Sequence, residues 1–290
     1  MITGKTKYYA ILGDPIEQAL SPVVHNAAFA ALGMDAVMLG CRVTPADLAT
    51  AMAGVRALHF SGLAVTMPLK TDIIPLLDEC EEKIAFLGAV NVVTCRDGHY
   101  KGYNTDGDGF LRNLVLHGTD PAGKRVFLFG AGGAARGVSY ALLEAGVSRL
   151  TVCNIEEKMA MDMIRPLQTR FPAAKIGFVP LGDPAIAGLC LASDILVNAT
   201  SMGMNGTASP HVDMVPWAQL PAGTVCADTI HKPRDTAFIR AAKAHGLTTC
   251  TGDGMMLHQG TRAFRLLTGC EAPEAAMRAA LQAIVSENGA

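Results

Sequence analysis

The segment Val126-Phe127-Leu128-Phe129 runs directly into Gly130-Ala131-Gly132-Gly133-Ala134-Ala135-Arg136-Gly137. Four apolar residues followed by this turn read as a buried strand, a tight turn and the first turn of a helix. That order commits the region to an α/β architecture, because such a strand is buried only when helices cover both faces of a parallel sheet. Gly130 permits the tight turn. Gly132 leaves room for a pyrophosphate against the backbone, and Ala135 is small enough for close helix packing. The helix N-terminus supplies N–H donors and a favourable dipole for phosphates. The turn therefore predicts a dinucleotide site at Gly130, Ala131, Gly132, Gly133 and Ala134.

The end of the next strand selects the dinucleotide. A carboxylate there hydrogen-bonds the ribose hydroxyls of NAD, whereas an arginine holds the extra phosphate of NADP. The sequence is Cys153-Asn154-Ile155-Glu156-Glu157-Lys158, with no arginine at the tip and two carboxylates nearby. A doubly negative phosphate meets repulsion there rather than a clamp. Asn154 and Ile155 are thus expected beside the adenosine, and NAD is expected in preference to NADP. Lys158 reads as a solvated helix charge, although its stem could reach back. Asn198-Ala199-Thr200-Ser201 closes a further strand, and carboxyl ends of strands face the ligand crevice in a doubly wound sheet. Asn198 and Thr200 are expected to border the cofactor. The same residues also suit a turn chosen for its own hydrogen bonds.

Strand and helix signals alternate along the rest of the chain. Strands are expected at 7–12, 37–43, 63–66, 150–153, 176–179, 195–197 and 224–227, with a hairpin of 90–95 and 100–103 around Asp97-Gly98. Helices are expected at 21–32, 45–58, 109–116, 133–145, 156–170, 254–267 and 273–286, with helical turns through Phe86. Ser21 suits an N-cap, Pro22 a first turn, and Gly33 a stop. These elements predict an N-terminal α/β domain followed by a doubly wound Rossmann domain over 107–254. The first domain is expected to comprise 1–106 and 255–290.

The bulk properties exclude several classes. The formal net charge of -2 on 290 residues gives no broad electrostatic attraction to nucleic acid or an anionic membrane. No apolar stretch reaches the roughly 18 residues a spanning helix needs, and the N-terminus lacks the apolar core of a secretory signal. The eight cysteines include no Cys-x-x-Cys. Most are read as reduced, buried small hydrophobes, which points to the cytoplasm. Neither they nor the eight histidines cluster at metal-ligand spacing.

Two polar groups of the first half suggest chemistry. Lys70 follows the strand-like Val65-Thr66-Met67-Pro68-Leu69, and Asp106 lies in Asn104-Thr105-Asp106-Gly107 at the expected domain seam. Oxidising an alcohol requires loss of the hydroxyl proton as the hydride leaves, and a lysine oriented by a carboxylate can accept it. Spacing alone leaves this pair open, since such a lysine is usually on the surface and Asn-Thr-Asp-Gly is usually a turn.

At these residues the sequence resembles the shikimate dehydrogenase family, over essentially the whole chain. The matching segments are Gly13-Asp14-Pro15-Ile16 with Ser21-Pro22 and His25-Asn26, then Val65 to Lys70, Gly88-Ala89-Val90-Asn91 and Asn104 to Gly107. The glycine turn, Asn198 to Ser201 with Gly203-Met204, and Gly254-Met255 with Gln259 follow in family order. The resemblance implies that Lys70 and Asp106 are the catalytic pair. It places Asn91 and Gln259 on the ring hydroxyls of a cyclohexene carboxylate, and Ser21 and Thr66 at the carboxylate end. Met255 falls beside the cofactor, and the last helices return to the first domain. The implied partner is a small cyclic hydroxy acid, and the implied setting is aromatic amino acid biosynthesis, in a monomer or homodimer.

The departures from the family pattern cluster around the carboxylate. The usual Ser-x-Ser is Ala19-Leu20-Ser21, a histidine before it is Gln18, and an asparagine before Val-Thr is Ala64. The tyrosine of Asp-x-x-Tyr-x-Pro is His231. Each lost donor to a charged group is worth about 1.5–3 kcal/mol, so two losses weaken shikimate binding by roughly 10³ unless compensated. His231 compensates if protonated, or Gln18 if it turns inward; otherwise His231 is a plain polar replacement. Quinate or an aminoshikimate therefore stands beside shikimate as substrate. A non-catalytic or regulatory dinucleotide-binding protein on the same scaffold is the alternative.

Overall fold

The structure is a computed structural model that describes residues 2–287. Met1 and residues 288–290, which the expected first domain includes, lie outside the described residues. The described residues divide into two compact units, residues 2–105 with 259–287 and residues 106–258.

The first unit contains β1 (Lys7–Gly13), α1 (Ser21–Ala31), β2 (Ala36–Arg42), α2 (Leu48–Ala57), β3 (Gly62–Val65), β4 (Glu79–Cys80), α3 (Ile84–Leu87), β5 (Val92–Arg96) and β6 (His99–Tyr103). They form a mixed sheet in the order β2-β1-β3-β5-β6-β4. β1 pairs parallel with β2 and β3. The hairpin of β5 and β6 is antiparallel, and β5 also runs antiparallel to β3. Tyr9, Ala10, Ile11 and Leu12 are all buried, as a central strand covered on both faces requires.

Three expectations need correction here. Ser21 is the first helical residue rather than the N-cap; Leu20 occupies the cap and makes no side-chain cap bond. Pro22, lacking an N–H, still sits in the first turn at no cost. The 45–58 segment opens as a 3₁₀ turn at Pro45–Asp47 before α2 begins. The helical turns expected through Phe86 are instead a short 3₁₀ turn at Ile74–Leu76, the edge strand β4 and the single turn α3. The cause is sheet pairing: Glu79 and Cys80 add to β6 opposite Lys101 and Gly102.

The second unit contains α4 (Asp106–Leu116), β7 (Arg125–Phe129), α5 (Gly133–Glu144), β8 (Arg149–Asn154), α6 (Glu157–Arg170), β9 (Lys175–Pro180), α7 (Ala185–Leu191), β10 (Ile195–Asn198), β11 (Val225–Asp228), α8 (Ala237–Ala244) and β12 (Thr248–Cys250). Its sheet is wholly parallel, in the order β12-β11-β10-β7-β8-β9. This is the doubly wound arrangement. Phe127, Phe129, Leu196, Cys226 and Phe238 fill the core on one face. The sequence reading leaves α7, α8 and β12 without assignments, because each is too short for a periodic signal. α9 (Gly252–Thr268) starts in this unit. From Gln259 onward it belongs, with α10 (Glu274–Glu287), to the first unit, where α10 packs on α1.

All eight cysteines are free thiols, but only Cys153, Cys190, Cys226 and Cys250 are fully buried; Cys270 is exposed and the others are half-buried. No helix among the described residues is long and apolar enough to cross a membrane.

His25 lies in the core of the first unit, 1% exposed, beside Phe264. Burial pushes its pKa down to about 4, only partly opposed by the Ser21 carbonyl. The unfolded chain therefore binds one more proton than the fold between about pH 6.5 and 4. His25 costs nothing above pH 6.5 and roughly 3 kcal/mol by pH 4. We predict that His25→Leu flattens the loss of stability over this range in urea unfolding; an unchanged slope would refute the assignment.

Candidate active site

In the first unit, polar residues collect where β3, β5 and β6 meet. Thr66 N–H donates to the Leu12 carbonyl (2.9 Å), Val65 N–H to Asn91 (2.8 Å) and Val90 N–H to the Lys70 carbonyl (2.8 Å). These bonds pin the 65–70 segment against Asn91. Asn91 is buried, and its Oδ1 accepts from Thr105 N–H at 2.8 Å. Its Nδ2 donates to Thr105 Oγ1 at 3.0 Å and, more weakly, to Gln259 Oε1 at 3.4 Å. Thr105 Oγ1 donates to the same Gln259 oxygen at 3.3 Å. Asn91 and Gln259 are thus brought together although 168 residues separate them.

Sequence reasoning passed over Thr105 as a member of this cluster. Its signal was its place inside Asn104-Thr105-Asp106-Gly107. Asp106, the next residue, is buried and opens α4. Lys70 and Thr66 are half-buried, and Ser21 is buried at the start of α1. His25 Nδ1 lies 2.9 Å from the Ser21 carbonyl. That bond requires an Nδ1–H donor, which fits the neutral ring that burial favours.

In the second unit, the glycine turn has the expected geometry. Gly130 N–H donates to the Cys153 carbonyl at 2.7 Å. Gly130 has φ of 107°, and a Cβ there would lie 2.6 Å from the Ala199 carbonyl oxygen. Only glycine meets both conditions. Gly132 caps α5 in an extended conformation, and a Cβ on it would meet nothing within 4 Å. Ala135 is fully buried. The first N–H groups of a 12-residue helix and an open backbone approach therefore fit a dinucleotide pyrophosphate.

At the tip of β8, Asn154 Nδ2 donates to the Glu156 carbonyl at 2.9 Å, and Ile155 is 73% exposed. Lys158 does not reach back: its Nζ pairs with Asp162 at 2.7 Å on the next turn of α6. Asp162 also lies in the field of Arg136, whose pKa burial lowers and Asp162 raises. Asn198 is fully buried, so its side chain serves the loop: Oδ1 accepts from Thr200 N–H (3.2 Å) and Thr200 Oγ1 (2.7 Å). Met255 is buried near the start of α9.

Burial lowers the pKa of His231, the nearby Asp253 opposes this less strongly, and Lys232 lowers it further. Burial thus works against the protonated ring that would replace the missing donors. Gln18 is exposed rather than turned inward. His258 is buried within α9. Among the described residues, no group of three His, Cys, Asp or Glu side chains could hold a metal.

A parallel sheet with a glycine turn, and a separate α/β unit bearing a lysine beside an amide–hydroxyl cluster, define a two-unit dinucleotide-type oxidoreductase scaffold. Residues 11–93 match the shikimate dehydrogenase substrate binding domain, and residues 252–282 match the shikimate 5'-dehydrogenase C-terminal domain. A shikimate dehydrogenase (NADP(+)) of Moorella thermoacetica is 42% identical over 280 residues, 95% of this chain and 92% of that protein. A shikimate 5-dehydrogenase of Listeria monocytogenes, solved with shikimate and NAD, superposes with a TM-score of 0.87 at 33% identity, covering 97% of this chain and 98% of that one. A quinate dehydrogenase of Corynebacterium glutamicum, solved with NAD, gives 0.86 at 30% identity, covering 96% and 99%. The chain belongs to the shikimate dehydrogenase family.

The two glycines separate folding from binding. Gly130→Ala meets the Ala199 carbonyl and is expected to lower stability by about 1–3 kcal/mol. Gly132→Ala meets open space and should leave the melting temperature nearly unchanged, yet its methyl occupies the pyrophosphate approach. We expect at least a tenfold weaker dinucleotide Kd by fluorescence titration (about 1.4 kcal/mol). Undiminished binding by Gly132→Ala would show that the phosphates lie elsewhere.

Proposed function

We propose that the protein is an NAD-dependent oxidoreductase that interconverts a ring hydroxyl and a ketone of a shikimate-like cyclic polyhydroxy acid. The observation that carries this reading is the Asn91–Thr105–Gln259 cluster beside the backbone-anchored Lys70 segment. Asn91 and Gln259 present amide groups suited to vicinal hydroxyls, and Lys70 supplies the acid–base group. A nicotinamide dinucleotide held at Gly130, Ala131, Gly132, Gly133 and Ala134 would supply the hydride chemistry. In oxidation Lys70 Nζ takes the hydroxyl proton, and in reduction it returns a proton to the new alkoxide oxygen. Asp106, which the family resemblance pairs with Lys70, is assigned the role of orienting it. Ser21 and Thr66 face the carboxylate end.

The tip of β8 supports NAD over NADP. Ile155 carries no charge, Lys158 is engaged by Asp162, and Glu156 and Glu157 disfavour a further phosphate. On this reading the chain differs in cofactor preference from the Moorella relative, which carries NADP(+) in its name. With Ala19 in place of a hydroxyl and burial working against a protonated His231, the carboxylate has fewer donors, which favours quinate or an amino-substituted relative beside shikimate. The free thiols fit a cytoplasmic location. A purely regulatory dinucleotide binder would need the glycine turn but not the polar cluster around Lys70.

The deciding assay compares turnover of shikimate and quinate with NAD and NADP. We expect kcat/KM at least tenfold higher with NAD. Lys70→Ala should lower kcat by about 10²–10⁴ while dinucleotide binding persists. Tight binding without turnover of either acid would favour the regulatory reading, and full activity in Lys70→Ala would remove that residue from the mechanism.

A further inference from the structure

Asp228 closes β11 in the second unit and is 1% exposed. A buried carboxylate must be fully hydrogen-bonded to persist. Thr236 Oγ1 donates to Oδ2 at 2.6 Å, Ile230 N–H to Oδ1 at 2.8 Å, and Asn198 Nδ2 lies 3.2 Å from both oxygens. The chemistry described above uses none of these bonds.

Two of the donors have tasks of their own. Thr236 is the N-cap of α8, its Oγ1 accepting from Ile239 N–H at 3.2 Å. Asn198 controls the loop after β10. An asparagine amide can sit in either of two orientations, and here one of them would aim its Oδ1 at the carboxylate. Repulsion removes that orientation, so the nitrogen faces Asp228 and the oxygen faces Thr200. Thr200 Oγ1 donates to that oxygen and accepts from Met202 N–H at 3.1 Å. Between them, the Ala199 carbonyl abuts Gly130. A short chain of bonds thus runs from Asp228 to the wall of the glycine turn.

We propose that Asp228 is a positioning residue of the dinucleotide site, its carboxylate selecting one orientation of the Asn198 amide and thereby the shape of the 199–203 loop against Gly130. This rests on the glycine turn being the dinucleotide seat. A merely structural carboxylate would hold β11 and α8 without touching cofactor affinity.

The test is direct binding of NADH and NADPH by fluorescence titration, independent of any substrate. Asp228→Asn keeps the shape but sets a second NH₂ group against Asn198. We expect a Kd raised at least tenfold in protein whose near-ultraviolet circular dichroism remains native. Asn198→Ala should raise Kd comparably, and the double variant no further, because Asp228 acts through Asn198. Thr236→Val, which removes the helix cap and one donor to Asp228 but leaves the carboxylate facing Asn198, should bind within twofold of wild type. A folded Asp228→Asn with Kd within twofold, or additive losses in the double variant, overturns the proposal. Should Asp228→Asn fail to fold, unchanged binding by Asn198→Ala overturns it equally. Wild-type protein that bound neither dinucleotide would overturn the dinucleotide reading as well, whereas wild-type binding with unaffected variants overturns this link alone.

Discussion

A strand buried on both faces can carry polar side chains only where it ends, and every such group must then find its partner locally. This constraint organises the second unit. β10 and β11 are apolar until the residue at their carboxyl ends, and β7 is apolar from Val126 to Phe129, with the glycine turn following directly. There the chain places Gly130, Asn198 and Asp228. The glycine avoids the Ala199 carbonyl, and the amide and carboxylate satisfy one another. Ligand-facing loops can stay polar because the groups beneath them are closed off from water and from competing bonds.

The first unit solves a related problem with a mixed sheet. Asn91 precedes β5 and Thr105 follows β6, so the antiparallel hairpin returns both to the same end. The cluster is completed from far along the chain, by Gln259. Asn91 uses three of its polar positions on protein partners, which leaves the cluster rigid before any ligand arrives. Preorganised amides recognise hydroxyls at lower entropic cost than mobile side chains do.

Much of this was legible in the sequence where the signal was long or chemically narrow. The apolar run Val126–Phe129 with its glycine turn specified a strand, a turn and a helix together. The Asp97-Gly98 hairpin was equally explicit, with Asp97 and Gly98 both at positive φ. Short elements were not legible, since α7 and β12 hold too few residues for a period. The 71–86 segment looked helical because its apolar residues pack inward, but the edge of the sheet claimed Glu79 and Cys80. Side-chain state was the least readable level. His231 could have been protonated on paper; its burial, which no local pattern encodes, outweighs Asp253. Asn198 likewise looked like a ligand contact, and only the position of Asp228, thirty residues on, reveals that its amide is already engaged.

The same burial sets how each unit responds to acid. Asp228 titrates at about 6, raised by burial against the pull of Thr236 and its other donors. Its ordinary value is 3.8, so the fold gains stability as pH falls through about 6 and the carboxyl takes up its proton. His211, buried against Phe129 and Phe238 and lowered to about 4, works in the opposite sense over the same range, and His231 adds to it. In the second unit a buried acid therefore tempers the cost of buried histidines. In the first unit Asp78 and Glu79 are held below the usual carboxylate range by hydrogen-bonded partners, as Asp162 and Asp194 are in the second. Their protonation at still lower pH costs stability as well, so His25 and these pairs pull the same way.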